Sequence, residues 1–417
     1  MPAALSYPGV YVEEIPSGVH TITGVATSIT AFVGRTQRGP INTATPVLSY
    51  ADYQRTFGNI TSNAPVAYAV RDFFLNGGSQ AVIVRLFTTA TPTAAAAVAN
   101  GGLTLSASSP GDWGANLLYA CDQTTPKQSG NFFNLSVYQK NPADSTNPTL
   151  LERFTSLSTS TADTRRADLI LAAQSNYVQA AISTTATPVT PTTSNVAFTG
   201  GTANAVLTDA SYIGGSTDTF QADKKGLYAL EQTDLFNLLC IPPDSITGDT
   251  SKTVYDTAGA YCTARRAVLI VDPPSGWDSG NGRMVATFRA DPLTALGNAA
   301  SPTKNAAVYF PRVRQNDPAN NNQEATFSAC GIVAGLYAQT DTDRGVWKAP
   351  AGVDTTILGI NSLAINLTDA ENGLLNPVGI NCLRFFKASG NVVWGARTLR
   401  GSDQLADDYK YVPVRRL

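Results

Sequence analysis

One histidine, five cysteines and a few well-placed carboxylates are the residues of this sequence best suited to chemistry. His20 lies in an N-terminal segment flanked by Pro16 and Gly18, a poor setting for a catalytic base that must be rigidly oriented. Cys121, Cys240, Cys262, Cys330 and Cys382 are odd in number, widely separated and free of CxxC spacing. That argues against a disulfide framework or a zinc site and for assembly in a reducing compartment. Cys240, within LFNLLCIP, reads as a buried thiol. No GxSxG, HExxH, Walker A loop or GxGxxG occurs, so no catalytic, cofactor or metal residues are assigned. The best enzymatic candidate is Asp272, at the carboxyl end of the apolar run Ala267–Asp272, where open parallel sheets place ligands. The favoured competing reading is that Asp272 caps the turn before Pro273 and Pro274. Three Asn-x-Ser/Thr triplets, at Asn59, Asn134 and Asn366, carry no weight without a secretory signal.

The stretch Asp341–Gly352, DTDRGVWKAPAG, suits an ordinary loop least. Gly345 and Gly352 permit backbone geometry closed to other residues, and Pro350 fixes φ and removes a donor. Asp341 and Asp343 can cap turns or pair with Arg344, Trp347 can anchor the segment by burying its ring, and Lys348 lies beside it. A shaped connector is the reading.

The elements that must hold these residues read as α/β. Buried strands are expected at Ile29–Gly34, Val47–Ser49, Ala81–Phe87, Leu235–Ile241, Ala267–Asp272 and Ala306–Phe310. Between them fall helices at Tyr50–Phe57, at a segment capped by Asn63 and opened by Pro65, near Gln221–Gln232 and near Thr253–Arg266. Apolar strands alternating with helices imply a mainly parallel sheet covered on both faces. The run Thr326–Ala338 reads as a helix whose Gly331 and Gly335 admit a close neighbour. From Thr91 to about Gly215 the composition turns to Ala, Thr, Ser and Pro. Half-buried strands are expected there at Leu103–Ala107 and Phe132–Tyr138, and a helix over ADLILAAQSNYVQAAI. The domain reading is an extended arm at 1–20, an α/β core at 21–90 and 216–417, and an inserted β-rich domain at 91–215. The arm is extended because Pro2, Pro8, Gly9, Pro16 and Gly18 forbid a helix, and Val10-Tyr11-Val12 favours a strand that must find an edge elsewhere.

With 417 residues, 43% hydrophobic and only 14% charged, the chain can bury a large core and presents a low-charge surface that suits packing against copies of itself or, equally, an uncharged monomer. A formal charge of -2 gives no field to recruit nucleic acid or an anionic membrane. Arg265-Arg266 and Arg415-Arg416 read as helix-end or interface charges. Neither a signal peptide nor an apolar stretch of spanning length is found, so no direct membrane insertion is expected.

The stretch Asp341–Gly352 closely resembles the signature of contractile tail sheath proteins. Three further segments resemble that family in the same order: SYPGVYVEEIPSGVHTITGVATSITAFVGRTQRGP, NAAVYFPRVRQNDP and GINCLRFFKASGNVVWGARTL. The resemblance is strong at both ends and weak between about Thr88 and Ser211. It implies a non-catalytic subunit that forms stacked rings or a helix around an inner tail tube and contracts to drive the tube through a cell envelope. Baseplate and tail terminator proteins are further implied partners. The location would be a virion tail or injection particle assembled in the bacterial cytoplasm. Within this picture Tyr7, Val10, Tyr11 and Val12 form an inter-subunit arm, the insert faces outward, and Asp341, Arg344, Gly345, Trp347, Lys348, Pro350 and Gly352 form a core signature loop. Such proteins continue beyond a segment like Tyr409–Leu417 into a C-terminal arm, so a trimmed chain ending on a strand-like run is expected. Alternatives are a cytoplasmic α/β hydrolase or transferase with a β-rich insertion, and another non-catalytic shell or adhesin-like protein.

Overall fold

The computed structural model describes residues 26–88, 95–124, 132–141, 144–183, 187–215, 219–278, 299–400 and 410–416. The proposed arm strand Val10–Val12, Tyr7 and His20 lie outside the described residues. The first core strands are β1 (Thr30–Gly34), β2 (Thr45–Val47) and β3 (Ala81–Arg85). Between β2 and β3 come helices α1 (Tyr50–Phe57) and α2 (Pro65–Leu75). The hydroxyl of Ser49 caps α1 by accepting from the Asp52 amide, which ends β2 at Val47 rather than Ser49. The N-cap of α2 is Ala64, not Asn63. Pro65, which has no amide to satisfy, opens the helix without a side-chain cap.

Eight strands follow before the core resumes: β4 (Ala96–Asn100), β5 (Leu103–Ala107), β6 (Leu117–Asp122), β7 (Phe132–Asn141), β8 (Asp144–Ser158), β9 (Val178–Ile182), β10 (Val196–Ala197) and β11 (Thr199–Gly200). They make two four-stranded sheets, β10-β6-β7-β8 and β11-β4-β5-β9. Leu103, Leu105, Leu135, Val137 and Phe198 close a separate apolar cluster between them. The first six residues of β7 are all buried, where alternation was expected, because this strand runs through the middle of its sheet. The expected helix over 167–182 is only half helical. Helix α3 (Ala167–Gln174) stops where Ser175 Oγ accepts from the amides of Tyr177 and Val178, and the rest pairs with β5 as β9. Strand pairing overrides helix propensity there.

The core continues through α4 (Asp209–Ile213), a 3-10 segment Gly226–Gln232 where a longer helix was expected, and β12 (Leu238–Cys240). Then follow α5 (Lys252–Arg265), β13 (Val268–Val271), β14 (Ala306–Phe310), β15 (Val313–Asp317), β16 (Gln323–Phe327), α6 (Cys330–Arg344) and β17 (Ser362–Leu363). The chain closes with α7 (Asp369–Leu375), β18 (Ile380–Phe386), β19 (Gly390–Val393) and α8 (Val412–Arg416). Phe327 therefore ends a strand rather than opening the helix, and α8 is helical where a strand-like end was expected. Burial of Val412, with the helical 411–415 backbone bond, decides the latter.

The main sheet has the order β19-β18-β14-β13-β12-β1-β3-β2. Its six central strands are parallel, and only the edge strands β2 and β19 run antiparallel. Alternate side chains feed two helical layers. Ala31 and Val33 of β1 enter the cluster with Val254, Ala258 and Cys262 of α5, and Phe32 enters the cluster with α1, α2 and α6. The molecule is thus α/β in its core. The glycines of α6 meet the close neighbour that the sequence implied: a Cβ on Gly331 would stand 2.1 Å from the carbonyl oxygen of Ala69, and one on Gly335 2.6 Å from that of Phe73, both in α2.

Candidate functional site

The signature stretch divides where α6 ends. Asp341 and Arg344 belong to the last turn of the helix, and the connector begins at Gly345, whose φ of 95° closes it. The Asp341 side chain is 3% exposed. It accepts from Thr27 Oγ1 at 2.8 Å and from Arg416 Nη1 at 2.8 Å, with Arg416 Nη2 on its second oxygen. Arg416 Nη2 also donates to the Thr27 carbonyl at 2.8 Å, and its guanidinium lies 5.0 Å over the ring of Tyr337, one turn earlier in α6. Tyr337 in turn shares a 2.7 Å hydroxyl bond with Tyr309 of β14, and burial pushes its phenol up to about 12. A charge pair this deep holds only because its geometry is bidentate and its remaining donors are satisfied. The first and last described segments thus meet on one carboxylate.

The other signature residues are placed differently from expectation. Arg344 approaches Asp354 at 3.8 Å on the surface, rather than Asp341 or Asp343. Trp347 does not anchor the connector by burial: it is 68% exposed, and its ring lies across Gly345, where a Cβ would come within 2.3 Å of it. Pro350 takes the buried position instead. Lys348 Nζ donates to the carbonyls of Ala349 and Ala351, both at 3.0 Å, which stiffens the turn from within. Gly352, at φ 125°, donates its amide to Val393, and Ile357 donates to Asn391. Residues 352–357 therefore cover the outer edge of β19, the kind of exposed row that invites unwanted pairing.

The enzymatic candidate resolves into structure. Asp272 Oδ1 accepts from the amides of Ala329 and Cys330 at 3.0 and 2.9 Å, so it caps α6 from the end of β13 rather than the turn before Pro273. Burial pushes its carboxyl up, opposed by the hydrogen bonds from Cys330 and Ala329 and by the charge of Arg312. In a parallel sheet the usual ligand crevice opens where strand order reverses, here between the carboxyl ends of β1 and β12. Arg35 and Asp244 pair across it, Arg35 also donates to the carbonyls of Asn204 and Ala205, and Asp244 accepts the Leu207 amide. The returning chain thus bonds both members of the pair. Cys240 is buried and its thiol lies 3.5 Å from the Cys330 carbonyl. Among the described residues no group of three His, Cys, Asp or Glu is placed to hold a metal ion, and no helix is long and apolar enough to cross a membrane.

Sequence reasoning missed Thr27 as a partner of Asp341, and it assigned no partner to Arg416. The one available signal was the Arg415-Arg416 pair itself.

Residues 215–399, which include α5, α6 and the whole signature stretch, match the family described as phage tail sheath protein central domain. The tail sheath protein of Vibrio phage KVP40 is 35% identical over 98 residues, 23% of this chain. That match spans only 14% of the relative's own length. A crystal structure of a sheath tail protein from Desulfitobacterium hafniense is similar over 98% of this chain and 80% of its own, at TM-score 0.62 and 13% identity. The sheath tail protein from Listeria innocua is similar over 94% of this chain and 74% of its own, at TM-score 0.61 and 12% identity. These two likenesses are of fold.

Proposed function

We propose that this chain, which carries a phage tail sheath central domain over residues 215–399, is a structural subunit of a contractile tail sheath. It polymerises around an inner tube and shortens to drive that tube through a cell envelope. The observation that carries the reading is the convergence of the first and last described segments, through Thr27 and Arg416, on Asp341. A subunit linked to its neighbours through its ends needs those ends rooted in one rigid place, so that the body can repack between two arrangements while the links hold. Tyr7, Val10, Tyr11 and Val12 supply the link by adding a strand to the next copy. The signature residues Asp341, Arg344, Gly345, Trp347, Lys348, Pro350 and Gly352 shape the root from which it leaves.

In this reading residues 21–90 and 216–417 form the assembly core, and 91–215 face outward. The partners are copies of itself, an inner tube protein, and baseplate and terminator proteins, in a virion tail or injection particle assembled in the bacterial cytoplasm. The chain performs no catalysis. The capping role of Asp272 supports that reading.

Negative-stain microscopy of the concentrated protein, alone and with a cognate tube protein, tests the proposal. Hollow striated tubes are expected, and deletion of residues 1–20 leaves folded monomers. Compact monomers under both conditions overturn the sheath reading. Normal tubes from the deletion overturn only the arm.

A further inference from the structure

The β-rich insert is fastened to the core by arginines that all come from the core side. Arg85, the last residue of β3, is 1% exposed, yet its guanidinium donates to two backbone carbonyls, Gly39 at 2.7 Å in the core and Pro110 at 2.6 Å in the insert. Arg38 lies 5.6 Å over the ring of Trp113 and 4.4 Å over that of Tyr177, both in the insert, while donating to the carbonyls of Gln54 and Arg55 at the end of α1. Ser109 Oγ accepts the Gly39 amide at 3.0 Å. At the neck, Asn204 accepts the Thr88 amide at 2.8 Å and donates to the Leu86 carbonyl at 2.9 Å, and the Ala205 amide bonds the Thr88 carbonyl.

Beside these contacts lies a polar cavity of about 210 Å3 lined by Arg35, Arg85, Asp112, Trp113 and Asn204 among others. The apolar cluster of the insert draws its buried residues from 96–198, and neither core cluster contains any of them. The contacts named across the junction are therefore hydrogen bonds to carbonyls and to the Ser109 hydroxyl and guanidinium contacts with aromatic rings, beside that cavity. Polar junctions between separately cored bodies hold orientation without merging stability.

We infer that residues 96–200 form a separately folded body whose angle to the core is set by a latch of Arg38 and Arg85 on Pro110, Trp113 and Tyr177, and which swings about the Thr88–Asn204 neck when that latch is released. Neither body unfolds when this happens, because no shared apolar cluster is broken.

The five native cysteines are all buried, so cysteines introduced as Leu48→Cys in the core and Leu169→Cys in the insert, at sites 67% and 56% exposed, take spin labels selectively in the full-length protein. Pulsed electron paramagnetic resonance should give one narrow distance distribution with the latch intact. Arg85→Met, and separately Arg38→Ala with Tyr177→Ala, should each widen it at least twofold, with far-ultraviolet circular dichroism unchanged and both bodies still melting cooperatively. An unaltered distribution in both variants overturns the latch. Loss of the insert's cooperative melting in the partly exposed Arg38/Tyr177 variant overturns the independence of the two bodies, and that variant decides the matter if Arg85→Met does not fold.

Discussion

Two arginine junctions hold this molecule together, and they are built on opposite principles. Where the first and last described segments meet, Arg416 pairs with the carboxylate of Asp341 with side chains 4% and 3% exposed, charge against charge. At the insert, Arg85 is just as buried but meets two carbonyl dipoles and the face of the Phe87 ring, with no carboxylate bonded to it, and burial lowers its pKa to about 10. The first arrangement is strong in both directions, since removing either partner strands the other. The second fixes direction through the planar fork of the guanidinium while leaving less to lose. One suits a root under tension; the other suits an appendage whose angle matters more than its attachment strength.

The comparison breaks most readily at Asp341. Asp341→Ala leaves the Arg416 guanidinium buried against the Thr27 carbonyl and the Tyr337 ring, and urea unfolding should show a loss of about 3–5 kcal/mol. The double replacement Asp341→Leu with Arg416→Met should cost clearly less than either single change. Equal costs would mean the pair is not coupled.

Asp278 gives an intermediate case. Burial outweighs the pull of the Arg312 and Arg314 charges and pushes its carboxyl from 3.8 up to about 6. Its folded value is raised, so its contribution to stability is fully present below about pH 4 and lost as pH rises through about 6. Asp278→Asn should therefore gain on the native protein between pH 4 and 7, by roughly 1–3 kcal/mol at neutral pH, read from denaturation midpoints across that range. A flat difference would remove the contrast with Asp341.

The smallest effect belongs to the latch. Arg85→Met gives up two carbonyl bonds but also relieves a buried charge, so thermal unfolding of the core should shift by no more than about 1–2 kcal/mol. A loss comparable to that of Asp341→Ala would make the two junctions alike after all.

Much of the core was legible because its signals are local. Ile29–Gly34 reads as buried from its compact apolar run, Tyr50–Phe57 is closed by Gly58, and the glycines of α6 announce a close neighbour. The site was legible only in part. Asp341 stands out in sequence, but its partners are 314 and 75 residues away, and no local pattern joins them. Trp347 misleads for a related reason. A large ring near glycines reads as an anchor, yet whether it is buried depends on Pro350 having taken the interior position. At Ser175 two local preferences compete, and the pairing of β9 with a strand some seventy residues earlier decides between them.

The Asn204 side chain, bonded at once to Leu86 and Thr88, has a consequence for how such a chain can vary. The points at which the polypeptide departs from the core and rejoins it lie within the reach of a single amide group. A short turn from Thr88 to Asn204 would close the core without displacing a strand, and any folded module with adjacent ends could be spliced into the same gap. The neck is a socket, and the body now mounted in it is one of many that the same core could carry.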